Sequence, residues 1–185
     1  MPDKIVRDAE KRMKKAVESI TTRFSSVRTG RASTSLLDGI RVDYYGTKSP
    51  INQMATISIP EPRLIVIQPW DKTVIKDIEK AIVQANIGLN PNVDKNVIRL
   101  VVPELTEERR KELVRHVHNL AEEGRVAIRN IRRDANSEIR KLEKAKKISE
   151  DDRYLYEEEI QEITDNYIEE IDELLASKEE EIKEV

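Results

Sequence analysis

The chain has 185 residues, of which 38% are hydrophobic, 37% charged and 4% aromatic. This is enough for one domain of ordinary size or two small ones, and it excludes a large multidomain enzyme. Because the sequence contains no cysteine, disulfides, thiolate nucleophiles and cysteine-ligated metal sites are excluded as well. The formal net charge of -3 taken as a whole points neither to nucleic acid nor to an acidic membrane as a partner.

A long amphipathic helix is predicted at the N-terminus. Apolar residues recur there in steps of three and four over residues 1–28, which keeps them on one helical face. They are Val6, Ala9, Met13, Val17, Ile20, Phe24 and Val27.

The period changes to that of strands between Gly30 and Pro103. Four short segments rich in Val, Ile and Tyr are bounded by Gly and Pro, namely 41–45, 55–59, 63–67 and 97–102. One helix, capped by Asp71, interrupts them and places Ile78, Ile82 and Ala85 on its apolar face. A small α+β domain is therefore predicted over residues 30–105.

Two further long helices are predicted after this domain. One starts at Thr106, a suitable N-cap, and extends to about residue 146. The other starts at Ser149, with Asp152 three residues later as in a short capping box. Its predicted stripe is Tyr156, Ile160, Ile163, Tyr167, Ile171 and Leu174. Residues 1–29 and 106–185 are thus predicted to form a three-helix bundle, into which the α+β domain is inserted.

The insertion is joined to the bundle by two segments, Thr29-Gly30-Arg31 and Pro103-Glu104-Leu105. Gly30 permits unusual backbone dihedrals, and Pro103 disfavours helix at the junction. The pair is interpreted as a hinge between two rigid bodies; the alternative is that both residues simply end the neighbouring elements.

The near-neutral total hides segments of opposite charge. Residues 150–185 contain 16 acidic and 3 basic side chains, whereas residues 107–149 contain 13 basic and 8 acidic ones. At about 100° per residue, one arc of the second long helix carries Arg125, Arg129, Arg132, Arg133, Asn136 and Arg140. Arginine forks suit phosphate oxygens, so this face predicts nucleic-acid binding. The alternatives are a solvated face or a set of ion pairs with the acidic helix.

Signals for catalysis, metal binding and membrane insertion are missing from the sequence. His116 and His118, the two histidines, lie about 200° apart on a helix and so do not share a metal ion. There is no glycine-rich phosphate loop and no nucleophile motif. The longest aliphatic run, Leu64 to Ile67, is too short to cross a bilayer, and no signal region precedes the first helix. We expect a cytoplasmic, monomeric, non-enzymatic protein without a cofactor.

Several motifs in fixed order resemble the bacterial ribosome recycling factor family over essentially the whole chain. They are Val27-Arg28-Thr29-Gly30-Arg31-Ala32-Ser33, Leu36-Leu37-Asp38-Gly39-Ile40, Val42-Asp43-Tyr44-Tyr45-Gly46-Thr47, Gly88-Leu89-Asn90-Pro91-Asn92, Leu105-Thr106-Glu107-Glu108-Arg109-Arg110-Lys111 and the segment from Arg125 to Asn136. Many family members have a glycine in the turn before the last strand, where this sequence reads Asp94-Lys95-Asn96.

The resemblance implies an L-shaped protein, in which a three-helix bundle and a β/α/β domain are joined by a flexible hinge. It implies binding of the bundle to large-subunit rRNA on the post-termination ribosome, and splitting of the subunits with elongation factor G and GTP, which that factor hydrolyses. The rRNA contacts carry over to Arg129 and Arg132, and also to Arg28, Arg31, Arg110 and Arg133. The implied hinge includes Thr106 beside Pro103, Glu104 and Leu105.

Two other functions are compatible with the residues alone. A helical adaptor or holdase would bind other proteins through exposed apolar stripes and would show no salt-sensitive affinity for ribosomes. A general RNA-binding protein would bind unrelated structured RNAs with similar affinity.

Overall fold

The computed structural model describes residues 1–184, and these form two compact units. The first contains residues 1–28 and 107–184, and the second contains residues 29–106. The helices are α1 (Pro2–Ser25), α2 (Ile75–Ala85), α3 (Glu107–Lys144) and α4 (Glu150–Lys183). The strands are β1 (Arg41–Tyr44), β2 (Thr47–Pro50), β3 (Ala55–Glu61), β4 (Leu64–Pro69), β5 (Pro91–Asp94) and β6 (Val97–Val101). This mixture of long helices and a small sheet domain confirms the predicted fold class.

In the first unit, α3 packs against both α1 and α4. Ion pairs show that α1 and α3 are antiparallel, since Arg12 meets Asp134 at 3.2 Å and Arg23 meets Glu123 at 2.5 Å. The turn after α3 is closed by the predicted capping box. Ser149 Oγ accepts the Asp152 backbone N–H at 3.0 Å, and Asp152 Oδ2 accepts that of Ser149 at 3.3 Å.

The most deeply buried residues of α3 and α4 recur every 11 residues. In α3 they include Val117, Ile128 and Ile139, and in α4 they include Ile160, Ile171 and Ile182. Eleven residues make about three turns of an α-helix, with a drift of only about 20°. A repeat of this length therefore keeps one face against its neighbours along nearly straight helices.

The predicted apolar stripe of α4 is partly wrong. Ile163, Tyr167 and Leu174 are only half-buried, while Thr164 and Leu175 are buried in the bundle core. Thr164 tolerates burial because its hydroxyl donates to the Ile160 carbonyl oxygen at 2.7 Å. The first helix also ends at Ser25, earlier than the predicted residue 28.

The second unit contains two antiparallel sheets. One is the β1–β2 hairpin, and the other has the strand order β3-β4-β6-β5. Helix α2 contacts β1, β5 and β6. Its first turn follows a short 3₁₀ helix at Lys72–Val74, which Asp71 caps by accepting the Thr73 backbone N–H at 2.9 Å. The core between the helix and the strands includes Ile65, Ile67, Ile78, Ile82, Ile98 and Leu100.

Two strands were not predicted, and one predicted core residue is exposed. The sequences of β2 and β5 are Thr-Lys-Ser-Pro and Pro-Asn-Val-Asp, which contain few residues with high strand propensity. They are extended because each pairs with its hairpin partner, β1 or β6. Ala85 is exposed at the end of α2, and Ile75 at its start is buried instead.

Candidate nucleic-acid interface

Helix α3 presents its arginines in a row beside α4. The helix is 38 residues long, and its buried stripe faces the other two helices. Arg125, Arg129 and Arg132 are half-buried, whereas Arg133 and Arg140 are exposed. The structure therefore brings together five of the arginines that the sequence analysis singled out.

A cleft of about 600 Å³ lies between α3 and α4, beside residues 132–144 of α3. All eight residues around it are basic or neutral: Arg132, Arg133, Asn136, Ser137, Arg140, Lys141, Lys144 and Gln161. Asn136 Oδ1 is buried and has no hydrogen-bond partner within residues 1–184. The cleft thus offers five cations and one unused acceptor to a ligand that carries anionic groups and hydrogen-bond donors.

Arg125 forms ion pairs with carboxylates on both α3 and α4. Its Nε and Nη2 both lie within 2.8 Å of Asp172 Oδ1 on α4, and its Nη1 lies 3.1 Å from Glu122. Partial burial alone would lower the pKa of Arg125, but the hydrogen bonds to Asp172 and Glu122 outweigh it and raise that pKa. Arg125 therefore joins α3 to α4, as the ion-pair alternative of the sequence analysis predicts for such residues.

Arg129 shares Glu122 with Arg125. Its Nη1 lies 3.2 Å from Glu122 Oε1, and the hydrogen bonds from Arg125 and then Arg129 lower the pKa of this carboxyl. One carboxylate between two guanidinium groups compensates only part of their charge. Arg129 therefore keeps positive charge on the arginine face of α3.

Arg140 is held by α4 at the far end of the row. Its Nε lies 2.7 Å from Glu157 Oε1, and the second oxygen of Glu157 lies 3.4 Å from Arg153 Nη1. Arg153 also pairs with Glu143 on α3, so these four side chains link the two helices near their connecting turn. The exposed guanidinium of Arg140 still borders the cleft.

Arg132 and Arg133 are the least compensated arginines of the row. Arg132 forms no ion pair in the part of the chain that the structure describes, and its one hydrogen bond runs to the neutral Gln161, with Nη1 3.4 Å from Oε1. Arg133 is exposed and also lines the cleft. These two residues combine the highest free charge with access to a ligand.

The remaining predicted contact residues lie elsewhere. Arg110 is in the first turns of α3, and its Nε is buried without a hydrogen-bond partner within residues 1–184. Arg28 is the last residue of the first segment of the bundle unit, and Arg31 belongs to the second unit. Their roles in rRNA binding stay predictions.

The predicted hinge segments leave the second unit side by side. The Ala32 backbone N–H donates to the Pro62 carbonyl oxygen at 2.6 Å, and that of Val102 donates to the Arg63 carbonyl oxygen at 2.8 Å. Both connections are thus fixed to the β3–β4 turn. Just outside these anchors lie Thr29, Gly30 and Arg31 on one segment and Pro103, Glu104, Leu105 and Thr106 on the other.

Sequence reasoning missed four residues around the cleft. Ser137, Lys141 and Lys144 follow Arg133 at helical spacings of three and four, so widening the arc to about 180° and extending it one turn past Arg140 would have found them. Gln161 carries a different signal, because it is a neutral side chain within a strongly acidic helix.

Metal and membrane sites are absent from the described chain. Among residues 1–184, no group of three His, Asp or Glu side chains is placed to hold a metal ion. His116 and His118 are exposed, and His118 Nε2 lies 3.0 Å from Glu179 Oε2. In the same residue range, no helix is both long and apolar enough to span a bilayer.

Comparisons with known proteins agree over nearly the whole chain. The sequence model of the ribosome recycling factor family matches residues 20–182. The ribosome-recycling factor of Natranaerobius thermophilus is 57% identical over 180 residues, covering 97% of this chain and 98% of its own. That of Brevibacillus brevis is 53% identical over 185 residues, covering all of both chains.

Solved structures lead to the same family. A solution structure of the ribosome recycling factor matches with a TM-score of 0.77 and 49% identity, covering 100% of this chain and 98% of its own. A T. thermophilus ribosome recycling factor, described together with E. coli elongation factor G on the E. coli post-termination complex, matches with a TM-score of 0.67 and 45% identity over 98% of both chains. The chain belongs to the ribosome recycling factor family.

Proposed function

We propose that this translation factor binds the post-termination ribosome by placing rRNA phosphates in the cleft between α3 and α4. Ribosome recycling is the function of its family. The observation that carries the site assignment is the charge of the cleft, where five cations meet three neutral polar groups. The carboxylates of α4 that approach the row bind Arg125 and Arg140 and leave Arg132 and Arg133 available.

Arginine forks at the cleft fit a folded RNA backbone. Each guanidinium can donate two parallel hydrogen bonds to one phosphate, which a lysine ammonium does not reproduce. Phosphate contacts fix position without reading bases, so the shape of the rRNA would decide where the bundle binds. The acidic outer surface of α4 would repel phosphates and so favour one orientation.

The test is binding to purified large ribosomal subunits across a salt series. Arg132→Ala is expected to weaken binding at least tenfold and to lower the slope of log affinity against log salt by about one. Arg7→Ala is the matched control. Arg7 is exposed on α1, and its Nε donates to the Asp3 carbonyl oxygen of its own helix. We expect this control to change affinity less than about twofold.

Three results would contradict this assignment. An Arg132→Ala affinity equal to that of the parent would remove the cleft from the binding site. Equal affinity of the parent for unrelated structured RNAs would favour a general RNA-binding protein. Binding that does not weaken with salt would favour a protein-binding helical module.

Elongation factor G is the proposed partner in subunit splitting. The support is the similar protein described together with that factor on the post-termination complex. GTP hydrolysis would then belong to elongation factor G, and the place of action would be the cytoplasm, where ribosomes translate. In this scheme the bundle holds the rRNA, while the inserted unit moves on its two connections.

A glycine pair tests whether the connections act as a hinge. Gly30 has φ 78° and Gly39, inside the second unit, has φ 81°, so alanine is strained at both positions. If motion at Gly30 matters, Gly30→Ala reduces elongation-factor-dependent splitting of ribosomes while its affinity for large subunits is unchanged. Gly39→Ala adds the same strain elsewhere and should split normally. Equal splitting by both variants would argue against a hinge at Gly30.

A further inference from the structure

The contacts between α3 and α4 leave one arginine of the row without the carboxylate that the helix register would supply. Two contacts define this antiparallel register: His118 Nε2 to Glu179 Oε2 at 3.0 Å, and Arg125 Nη2 to Asp172 Oδ1 at 2.7 Å. The two contacts are seven residues apart, about two turns, on both helices. A further step of seven places Arg132 opposite Asp165.

Arg132 and Asp165 nevertheless do not form an ion pair within residues 1–184, because Gln161 lies between them. The Gln161 side-chain Nε2 donates to Asp165 Oδ1 at 2.8 Å. Its Oε1 accepts from Arg132 Nη1 at 3.4 Å, near the outer limit of a hydrogen bond. A primary amide suits this position, since it has a donor for the carboxylate and an acceptor for the guanidinium.

The neutrality of Gln161 is unusual for its surroundings. The segment 150–185 has 16 acidic residues, and α4 presents carboxylates to both Arg125 and Arg140. Glutamate at position 161 would place a carboxylate within reach of the same guanidinium. The charge of Arg132 would then be compensated inside the protein, and a phosphate would have to displace that pair.

We propose that Gln161 is a positioning residue for RNA binding: it occupies Asp165 and keeps the charge of Arg132 available to a phosphate. This inference rests on the proposed function, and it gives α4 a part in the RNA site through the contact of Gln161 with Arg132. Only the amide at the cleft is required to be neutral, so the rest of α4 remains free to be acidic.

The variant Gln161→Glu tests the proposal. We expect about tenfold weaker binding to purified large subunits at low salt, since one charged hydrogen-bonding partner is withdrawn, and a salt slope lower by about one. Asn166→Asp is the matched control, because it adds the same charge at an exposed position of the same helix. It should change affinity less than about twofold and leave the slope unchanged.

A double variant separates this proposal from the proposed function. In the Arg132→Ala background, Gln161→Glu should weaken binding no more than Asn166→Asp does, because its target is gone. Loss of affinity in Arg132→Ala with none in Gln161→Glu would overturn the role of Gln161 while leaving the cleft in place. Equal losses from Gln161→Glu with and without Arg132 would also overturn it, because the added charge would then act by general repulsion. An unchanged Arg132→Ala would contradict the proposed site itself.

Discussion

Gly124 of α3 lies where the three long helices come close together, so that an added methyl group has little room. A Cβ built at this position would lie 2.7 Å from Ile20 Cγ1 on α1 and 3.1 Å from Ile171 Cδ1 on α4. Alanine has a helix propensity about 1 kcal/mol better than glycine, which favours the substitution. Overpacking costs about 1–3 kcal/mol, and the upper end applies because the β-branched Ile20 is stiff at χ1. Gly124→Ala is therefore expected to lower the free energy of unfolding by about 2 kcal/mol.

The assay is urea unfolding followed by circular dichroism at 222 nm, which the long helices dominate. Trp70, the single tryptophan, reports separately on the second unit by fluorescence. In an Ile20→Ala background the clashing atoms on α1 are gone, so the same Gly124→Ala change should become neutral or stabilising. A Gly124→Ala protein as stable as the parent would refute the reasoning, since propensity would then outweigh the close contact.

Three further predictions concern single side chains. Lys95→Gly should raise the free energy of unfolding by about 0.5–1 kcal/mol in urea titration, because Lys95 has φ 52°, which glycine adopts without strain; a loss of stability would contradict this. Thr164→Val should leave the melting temperature unchanged or higher, because within residues 1–184 the hydroxyl bonds only to the Ile160 carbonyl of its own helix; a large decrease would show that the hydroxyl matters. The pKa of Glu179 lies below its ordinary 4.5, mainly because Lys183 donates a hydrogen bond to the carboxylate. The ionised Glu179 therefore stabilises the fold fully above pH 4.5, and this stabilisation is lost as the pH falls through the lower pKa of the folded state. In unfolding titrations at several pH values, Glu179→Gln should be less stable than the parent at pH 7 and equal to it at low pH.

Helices with strong apolar periodicity were predictable, and strands defined by their partners were not. The 3.6-residue pattern located all three long helices, since their burial depends on side chains that repeat along the chain. Strands β2 and β5 carry little such pattern, and their extended backbone depends on hydrogen bonds to β1 and β6. The stripe of α4 was misplaced because its apolar side chains are less confined to one face of the helix than those of α1 and α3, so the pattern did not fix which side is buried.

The sequence by itself determined the division into long helices and a small α+β domain, the family resemblance and the arc of arginines, because each depends on residue types at fixed spacings. Which arginines keep free charge was decided only by the tertiary structure. The register of α3 against α4 places carboxylates beside Arg125 and Arg140, and an amide beside Arg132. Charge compensation acts over a few ångströms between residues that are far apart in the chain, so helical periodicity does not reveal it.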